Sequence, residues 1–124
     1  MATALVVDDS KTVRTILSRT LKELGMDILE AANGREALEV IAAQKTEVSL
    51  ILLDWDMPEM NGLEMLQLLR QSPEFSSIVV VMVTAQSEMS HVAEALDAGA
   101  DEYVMKPFTK DIILGKLQLA GIEV

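Results

Sequence analysis

Five polar side chains interrupt or end the apolar segments of this sequence, and their types suit one chemical task. They are three carboxylates, one hydroxyl and one ammonium group: Asp8, Asp9, Asp54, Thr84 and Lys106. Carboxylates crowded into a small pocket repel one another and raise each other's pKa unless a cation offsets their charge. Mg²⁺ accepts such oxygen ligands and often shares them with a phosphate. Lys106 can pair with Asp54 or with a group attached to it, and Thr84 can donate a hydrogen bond to an anion.

Each of these residues also has an ordinary interpretation when it is taken alone. Residues 8–10 could cap a helix, where acids are favoured near the helix dipole. Asp54 could belong to a turn, Thr84 to a strand end and Lys106 to the solvated surface. Their joint placement at four strand ends, with charges suited to one metal–phosphate site, favours the chemical interpretation.

The hydrophobic pattern predicts five strands that alternate with five helices. The strands are predicted over residues 4–7, 27–31, 48–53, 78–83 and 102–105. In chain order, the helices are predicted over 10–25, over 35–44, from Leu63 to before Ser72, and over 88–98. A fifth helix is predicted to be capped by Thr109. Strands after residue 48 are nearly continuous apolar runs, as in a parallel sheet covered on both faces. The sequence therefore predicts a doubly wound α/β fold with right-handed crossovers.

The predicted fold brings the five polar side chains together. Open α/β sheets bind ligands beyond the carboxyl ends of their strands, at the point where the strand order reverses. In a flavodoxin-like five-stranded parallel sheet of order 2-1-3-4-5, the first and third strands flank that point. Asp8 and Asp9 follow the first strand, Asp54 the third, Thr84 the fourth and Lys106 the fifth. We expect all five to line one pocket.

Length and composition narrow the class of protein further. The chain has 124 residues, so we expect one domain over residues 1–124. Its 20 acidic and 10 basic side chains give a formal net charge of −10. That charge disfavours binding to nucleic acid or to an anionic membrane surface. The absence of Cys excludes disulfides and thiol catalysis. The acidic N-terminal segment does not resemble a signal peptide, so we expect a cytoplasmic location. We also expect a monomer.

Four motifs together resemble the receiver domain of two-component response regulators, most closely the stand-alone CheY-like chemotaxis type. They are VVDDS at 6–10, LLDWDMPEMNG at 52–62, VTA at 83–85 and KPF at 106–108. Each motif is of weak to moderate specificity alone, but their order and spacing are highly specific. The resemblance covers residues 3 to 120.

The resemblance implies a phosphoacceptor site and a Mg²⁺ site. By position, Asp54 matches the aspartate that accepts the phosphoryl group. Asp9 matches the direct Mg²⁺ ligand, Asp8 the acid that acts through metal-bound water, and the main-chain carbonyl of Asp56 the third protein ligand. Thr84 and Lys106 match the groups that contact the phosphoryl oxygens. A cis peptide bond between Lys106 and the proline that follows it is implied too.

The resemblance also implies a switch and its partners. Thr84 is drawn toward the added phosphoryl group and Tyr103 turns inward behind it, which remodels the surface of residues 87–98, 102–105 and 109–119. The partners would be a histidine kinase that supplies phosphate and a target such as a flagellar-motor switch protein. A phosphate sink, or a regulator outside chemotaxis, is the open alternative.

Two further residues are candidates for the rim of the site. Asp56 stands two positions after the acceptor, where many relatives have a neutral residue, and Gln86 stands two positions after Thr84. We hypothesise that Asp56 and Gln86 set the rate of dephosphorylation. Trp55 is expected to be a partly exposed turn residue, and His91 a solvated helix residue.

Three other classes of protein fit the sequence less well. The pair Asp54 and Asp56 resembles the nucleophile pair of haloacid-dehalogenase-like phosphatases, but it follows the third strand rather than the first and the chain is short for a cap domain. A flavin-binding module should not place two acids in its first loop. A pseudo-receiver that is never phosphorylated would not need the complete set of acids, hydroxyl and lysine.

Overall fold

Five parallel strands form the centre of the computed structural model, which describes residues 2–44, 48–85 and 90–123. The strands are β1 (Thr3–Val7), β2 (Asp27–Ala31), β3 (Val48–Asp54), β4 (Val79–Ala85) and β5 (Glu102–Lys106). Their order in the sheet is β2-β1-β3-β4-β5, and each neighbouring pair is parallel. The predicted sheet and its strand order are therefore confirmed.

Five helices connect and cover the strands. They are α1 (Lys11–Glu23), α2 (Gly34–Gln44), α3 (Gly62–Gln71), α4 (Val92–Asp97) and α5 (Lys110–Leu119), and a 3₁₀ turn lies at Pro73–Phe75. The first half of the helix predicted over 88–98 is not α-helical where it is described, because α4 begins only at Val92. Residues 88 and 89 lie outside the described part of the chain. No helix in that part is long and apolar enough to cross a membrane.

Side-chain caps begin α1, α3 and α5 close to the carboxyl edge of the sheet. Ser10 caps α1 and Thr109 caps α5, each by accepting a hydrogen bond from the N–H three residues later. Asn61 and Glu64 form a reciprocal capping box at the start of α3. Each cap satisfies an N–H group that the helix leaves free. The loops that carry the polar residues therefore enter the helices in defined directions.

The apolar side chains of the sheet divide between two cores, because successive residues of a strand point to opposite faces. In β4, Val80 and Met82 belong to the core that α2, α3 and α4 cover, while Val81 and Val83 belong to the core under α1 and α5. Both faces of the sheet are thus buried. This explains why its strands read as continuous hydrophobic runs rather than as alternating ones.

Gly62 allows the chain after β3 to fold tightly against the strand it has just left. Its N–H donates to the carbonyl oxygen of Trp55 at 2.8 Å. A Cβ at position 62 would lie 2.9 Å from Met82 Cε and would clash with the carbonyl oxygen of Asp54. A side chain here would therefore displace the segment that carries Asp54.

Arg70 connects α3 to the loop before β4 and to the loop between α4 and β5. Its guanidinium donates to the carbonyl oxygens of Gly99 at 2.9 Å, Ser76 at 3.1 Å and Ile78 at 2.8 Å, and to Asp101 Oδ2 at 3.0 Å. Three of these acceptors are main-chain carbonyls with no strand or helix partner of their own in the described chain. One side chain thus provides donors to two loops that are separate in the sequence.

We predict that Arg70→Ala lowers the free energy of unfolding by about 2–4 kcal/mol, because it leaves partly buried acceptors without a donor. Urea unfolding measures this. Arg35→Ala is the matched control, because Arg35 is 81% exposed and pairs only with Glu39 at 3.8 Å, so its removal should cost less than about 0.5 kcal/mol. Equal losses in the two variants would contradict the proposed role of Arg70.

Candidate functional site

The strand register places the three predicted acids at one point of the sheet edge. Val7 of β1 is paired with Leu53 of β3, so the residues that follow them, Asp8 and Asp54, are neighbours. One carboxylate oxygen from each of Asp8, Asp9 and Asp54 lies within 4.8 Å of the other two. The structure therefore brings together three acids that are up to 46 positions apart, as the sequence predicted.

Lys106, the last residue of β5, reaches into this acidic cluster from across the sheet. Its Nζ donates to Asp54 Oδ1 at 3.3 Å and lies 3.5 Å from Asp8 Oδ2. Asp8 and Asp54 are only 1% and 4% exposed, whereas Asp9 is exposed to solvent. One ammonium group faces three carboxylates, so the cluster carries an excess of negative charge.

The excess charge and the burial alter the pKa values of the group. Burial raises the pKa of Asp54 from 3.8 to about 6, and the charge of Asp8 adds to this while Lys106 opposes it. Burial also raises the pKa of Asp8, although the Ser10 N–H and Lys106 stabilise its ionised form and so act to lower that pKa. Burial alone would lower the pKa of Lys106, but the charges of Asp54 and Asp8 outweigh it and raise the value. The ionised carboxylates are thus destabilised without a further cation.

The donor set of the cluster fits a hard divalent cation. All three side chains offer oxygen, and one of them is exposed, so that a cation could reach the cluster from solvent. Asp8 Oδ2 is buried and accepts no hydrogen bond in the described chain, although Lys106 lies within ion-pair distance. A buried anionic oxygen without a donor is costly, and a coordinated cation would remove that cost.

Thr84 lies inside β4 rather than after it, because the strand continues to Ala85. Its neighbour Val83 is paired with Asp54, so Thr84 lies beyond the last residue of β3. Thr84 is fully buried, and within the described residues its Oγ1 has no hydrogen-bond partner. The site thus contains a buried hydroxyl with an unused donor.

Tyr103 lies in β5, half-buried against the core under α4. The Nζ of Lys116 lies 4.2 Å from the centroid of its ring and also donates to Glu102 Oε1 at 3.2 Å. This cation–π contact joins β5 to α5, and no sequence pattern predicts it beyond the presence of a lysine on the last helix.

The expectations for Trp55 and His91 were wrong. Trp55 is only 6% exposed, and its ring meets the His91 ring edge-to-face, with centroids 4.7 Å apart and planes at 79°. His91 precedes α4, and its Nδ1 is buried without a hydrogen-bond partner among the described residues. Their packing depends on how α4 lies over the loop after β3, and short-range sequence patterns do not contain that information.

Of the two candidates for the rim of the site, Asp56 lies among the described residues and Gln86 does not. Asp56 is exposed, and its carboxylate is not part of the acidic cluster found in the described chain. Gln86 lies outside the described residues, as do residues 87–89 of the predicted output surface. The peptide bond between Lys106 and Pro107 is cis, as the resemblance implied.

A doubly wound sheet with this acidic cluster defines a class of signalling domain. A family model described as the response regulator receiver domain matches residues 4–118, and the chain belongs to that family. Receiver domains are phosphorylated and bind Mg²⁺ at an acidic pocket. CheY-like members interact with histidine kinases and with downstream targets.

Individual relatives narrow the similarity to chemotaxis proteins. Chemotaxis protein CheY1 of Helicobacter pylori is 41% identical over 116 residues, which cover 93% of each chain. The CheY homolog of Campylobacter jejuni is 41% identical over 115 residues, 92% of this chain and 88% of that protein. The structure of Vibrio cholerae chemotaxis protein CheY4 matches with a TM-score of 0.85 at 35% identity, over 95% of this chain and 97% of that one. This chain is therefore a CheY-like receiver domain.

We predict that Asp54→Asn stabilises the metal-free protein at neutral pH. The folded protein has an Asp54 pKa of about 6, above the ordinary 3.8, so between these values it binds more protons than the unfolded chain does. Ionisation of Asp54 therefore lowers stability as the pH rises through this window. The variant should be more stable than the parent by about 1–3 kcal/mol at pH 7.5, and the difference should shrink toward pH 4.

Urea unfolding of both proteins in the presence of a chelator, at pH 7.5 and at pH 4, measures this difference. A stability difference that does not change with pH would contradict the prediction. Asp27→Asn, which removes an exposed carboxylate at the opposite end of the sheet, serves as the control for loss of one negative charge.

Proposed function

We propose that this chain is a chemotaxis response regulator in which Asp54 accepts a phosphoryl group from a histidine kinase. The observation that carries the proposal is the acidic cluster, with Lys106 Nζ 3.3 Å from Asp54 Oδ1. A pseudo-receiver would not need a buried acid and an ammonium group that meet in this way. In the proposed function the protein acts in the cytoplasm as a monomer.

The nucleophile is an oxygen of Asp54. Because the pKa of Asp54 is about 6, the carboxylate form predominates at neutral pH. An Asp54 oxygen forms a bond to phosphorus while the bond from phosphorus to the donor nitrogen breaks. The donor imidazole keeps that electron pair and takes up a proton. Phosphoryl transfer needs mainly positioning and charge neutralisation, so a weak nucleophile is sufficient.

Lys106 and a Mg²⁺ ion would divide the neutralisation of charge between them. The ammonium group of Lys106 already forms an ion pair with Asp54, and it can bind the phosphoryl oxygens once the group is transferred. Asp8, Asp9, Asp54 and the main-chain carbonyl of Asp56 are the residues that we assign to the metal. When bound, Mg²⁺ supplies a positive charge beside the acceptor and the phosphoryl oxygens.

The buried hydroxyl of Thr84 supplies the link from phosphorylation to a change of shape. Its Oγ1 has no partner in the described chain, so a new anion nearby gives it a hydrogen bond that it lacks. Movement of Thr84 would displace the loop after β4, and Tyr103 could then turn behind it. The populations of two forms shift because the phosphoryl group favours one of them.

The remodelled surface consists of α4, β5 and α5, and it binds its target in another protein molecule. The relatives named for chemotaxis make a flagellar-motor switch protein the first candidate target. A phosphate sink, which would only drain phosphoryl groups from a shared kinase, uses the same site chemistry without an output surface.

We predict that acetyl phosphate adds one phosphoryl group to the protein only when Mg²⁺ is present. Intact-mass spectrometry measures the adduct. Asp54→Asn should abolish it, because no other group in the cluster is assigned as the nucleophile. Asp101→Asn, which changes a carboxylate remote from the cluster, is the control and should be phosphorylated like the parent. An adduct that survives in Asp54→Asn, or none in the parent, would overturn the proposed function.

We further propose that Asp56 and Gln86 set the lifetime of the phosphorylated state, because both stand two positions beyond residues assigned to the phosphoryl site. Asp56→Asn and Gln86→Ala should each change the decay rate several-fold, as followed by Trp55 fluorescence after removal of the donor. Glu59→Gln removes an exposed carboxylate from the same loop and should leave the rate unchanged. Unchanged decay in both test variants would refute the proposal.

A further inference from the structure

Arg14 of α1 forms a bridge between the turn after β1 and the neighbouring strand β2. Its Nη1 donates to the main-chain carbonyl oxygen of Asp8 at 2.7 Å, and its Nε donates to Glu30 Oε1 at 3.2 Å. The Arg14 side chain is only 16% exposed, whereas that of Glu30 is 45% exposed. The guanidinium is thus packed along the protein with one donor directed at the acidic turn.

Two other polar groups of Asp8, its N–H and its Oδ1, are held by hydrogen bonds of their own. The N–H of Asp8 donates to the Ala31 carbonyl oxygen at 3.1 Å, at the end of the ladder between β1 and β2. Asp8 Oδ1 accepts from the Ser10 N–H at 2.8 Å. The Asp8 carbonyl lies beyond the last residue of β2, so no strand partner reaches it. Arg14 supplies the missing donor.

The carbonyl of Asp8 belongs to the peptide unit that joins it to Asp9. A peptide unit is planar, so a restraint on its oxygen also fixes the direction in which the chain enters Asp9. Asp9 is exposed, and within the described chain it makes no hydrogen bond or ion pair. The hydrogen bond from Arg14 therefore restrains the peptide unit that leads into Asp9.

We propose that Arg14 is a positioning residue for the divalent-cation site: it holds the Asp8–Asp9 peptide so that both carboxylates face the same ion. This proposal rests on the proposed function, since it concerns the same Mg²⁺ site. Arg14 touches neither the ion nor the phosphoryl group in this assignment. It acts through the main chain, as groups that support metal ligands commonly do.

The sign of the effect separates positioning from simple charge. Arg14 is a cation near an acidic cluster, so its loss by Coulomb's law alone should strengthen the binding of another cation. If Arg14 instead holds the ligand turn in place, its loss should weaken Mg²⁺ binding, because Mg²⁺ demands near-ideal octahedral geometry. The two explanations predict changes in opposite directions.

The experiment is isothermal titration calorimetry of the full chain with MgCl₂, in the parent protein and in Arg14→Gln. We expect the dissociation constant of the variant to rise by about 10-fold, the lower range for loss of a group that supports a metal ligand. Arg19→Gln is the matched control, because it removes the same charge from an exposed position on the same helix. Its affinity should be unchanged or slightly higher.

Arg14→Lys keeps the charge but has a single donor head, which cannot reach the Asp8 carbonyl and Glu30 as a fork does. We expect an intermediate affinity, which also covers the case in which Arg14→Gln does not fold. Calcium provides a second readout, since it tolerates irregular geometry and should lose less affinity than Mg²⁺. A general loss of structure would instead weaken the binding of both ions alike.

The outcomes also separate this proposal from the proposed function. Mg²⁺ binding in Arg14→Gln that is as tight as in Arg19→Gln would overturn the role of Arg14 and leave the phosphoacceptor function intact. Failure of the parent protein to bind Mg²⁺ would instead remove the metal site itself, and with it both proposals.

Discussion

The crowding of three carboxylates at the carboxyl edge of the sheet is the constraint on which the rest of the site depends. Asp8 and Asp54 are almost fully buried, and Lys106 is the ammonium group that reaches them in the described chain. A cluster of this kind is unfavourable by itself, and the pKa of about 6 at Asp54 expresses that cost. The stability of the surrounding fold has to offset it.

The parallel sheet provides that stability and also determines where the carboxylates repel one another. Both faces of the central strands are covered, so the apolar residues of β1, β3 and β4 are removed from water almost completely. The strands end at one edge, and the polar residues that end them therefore meet. The same arrangement that buries the core concentrates negative charge, which prepares the site to gain from a bound cation.

Contacts at a distance from the acids connect the site to the helices around it. The edge-to-face pair of Trp55 and His91 joins the loop after β3 to the start of α4. The contact of Lys116 with the ring of Tyr103 joins β5 to α5. Arg14 joins α1 to the acidic turn. Each contact links a helix to a strand or loop at the carboxyl edge of the sheet.

The sequence by itself determined the class of fold, the strand order and the identity of the central residues. Continuous apolar strands, regular helix signals and acids at strand ends are local patterns, and residues such as Asp54 and Lys106 could be recognised from them. The tertiary structure decided what depends on packing between distant segments: the burial of Trp55, the contact of Arg14 with the Asp8 carbonyl, and the burial of the Thr84 hydroxyl without a hydrogen-bond partner among the described residues. A contact between side chains on different layers of the fold produces no periodic pattern in the sequence, because only the packed fold brings the two side chains together.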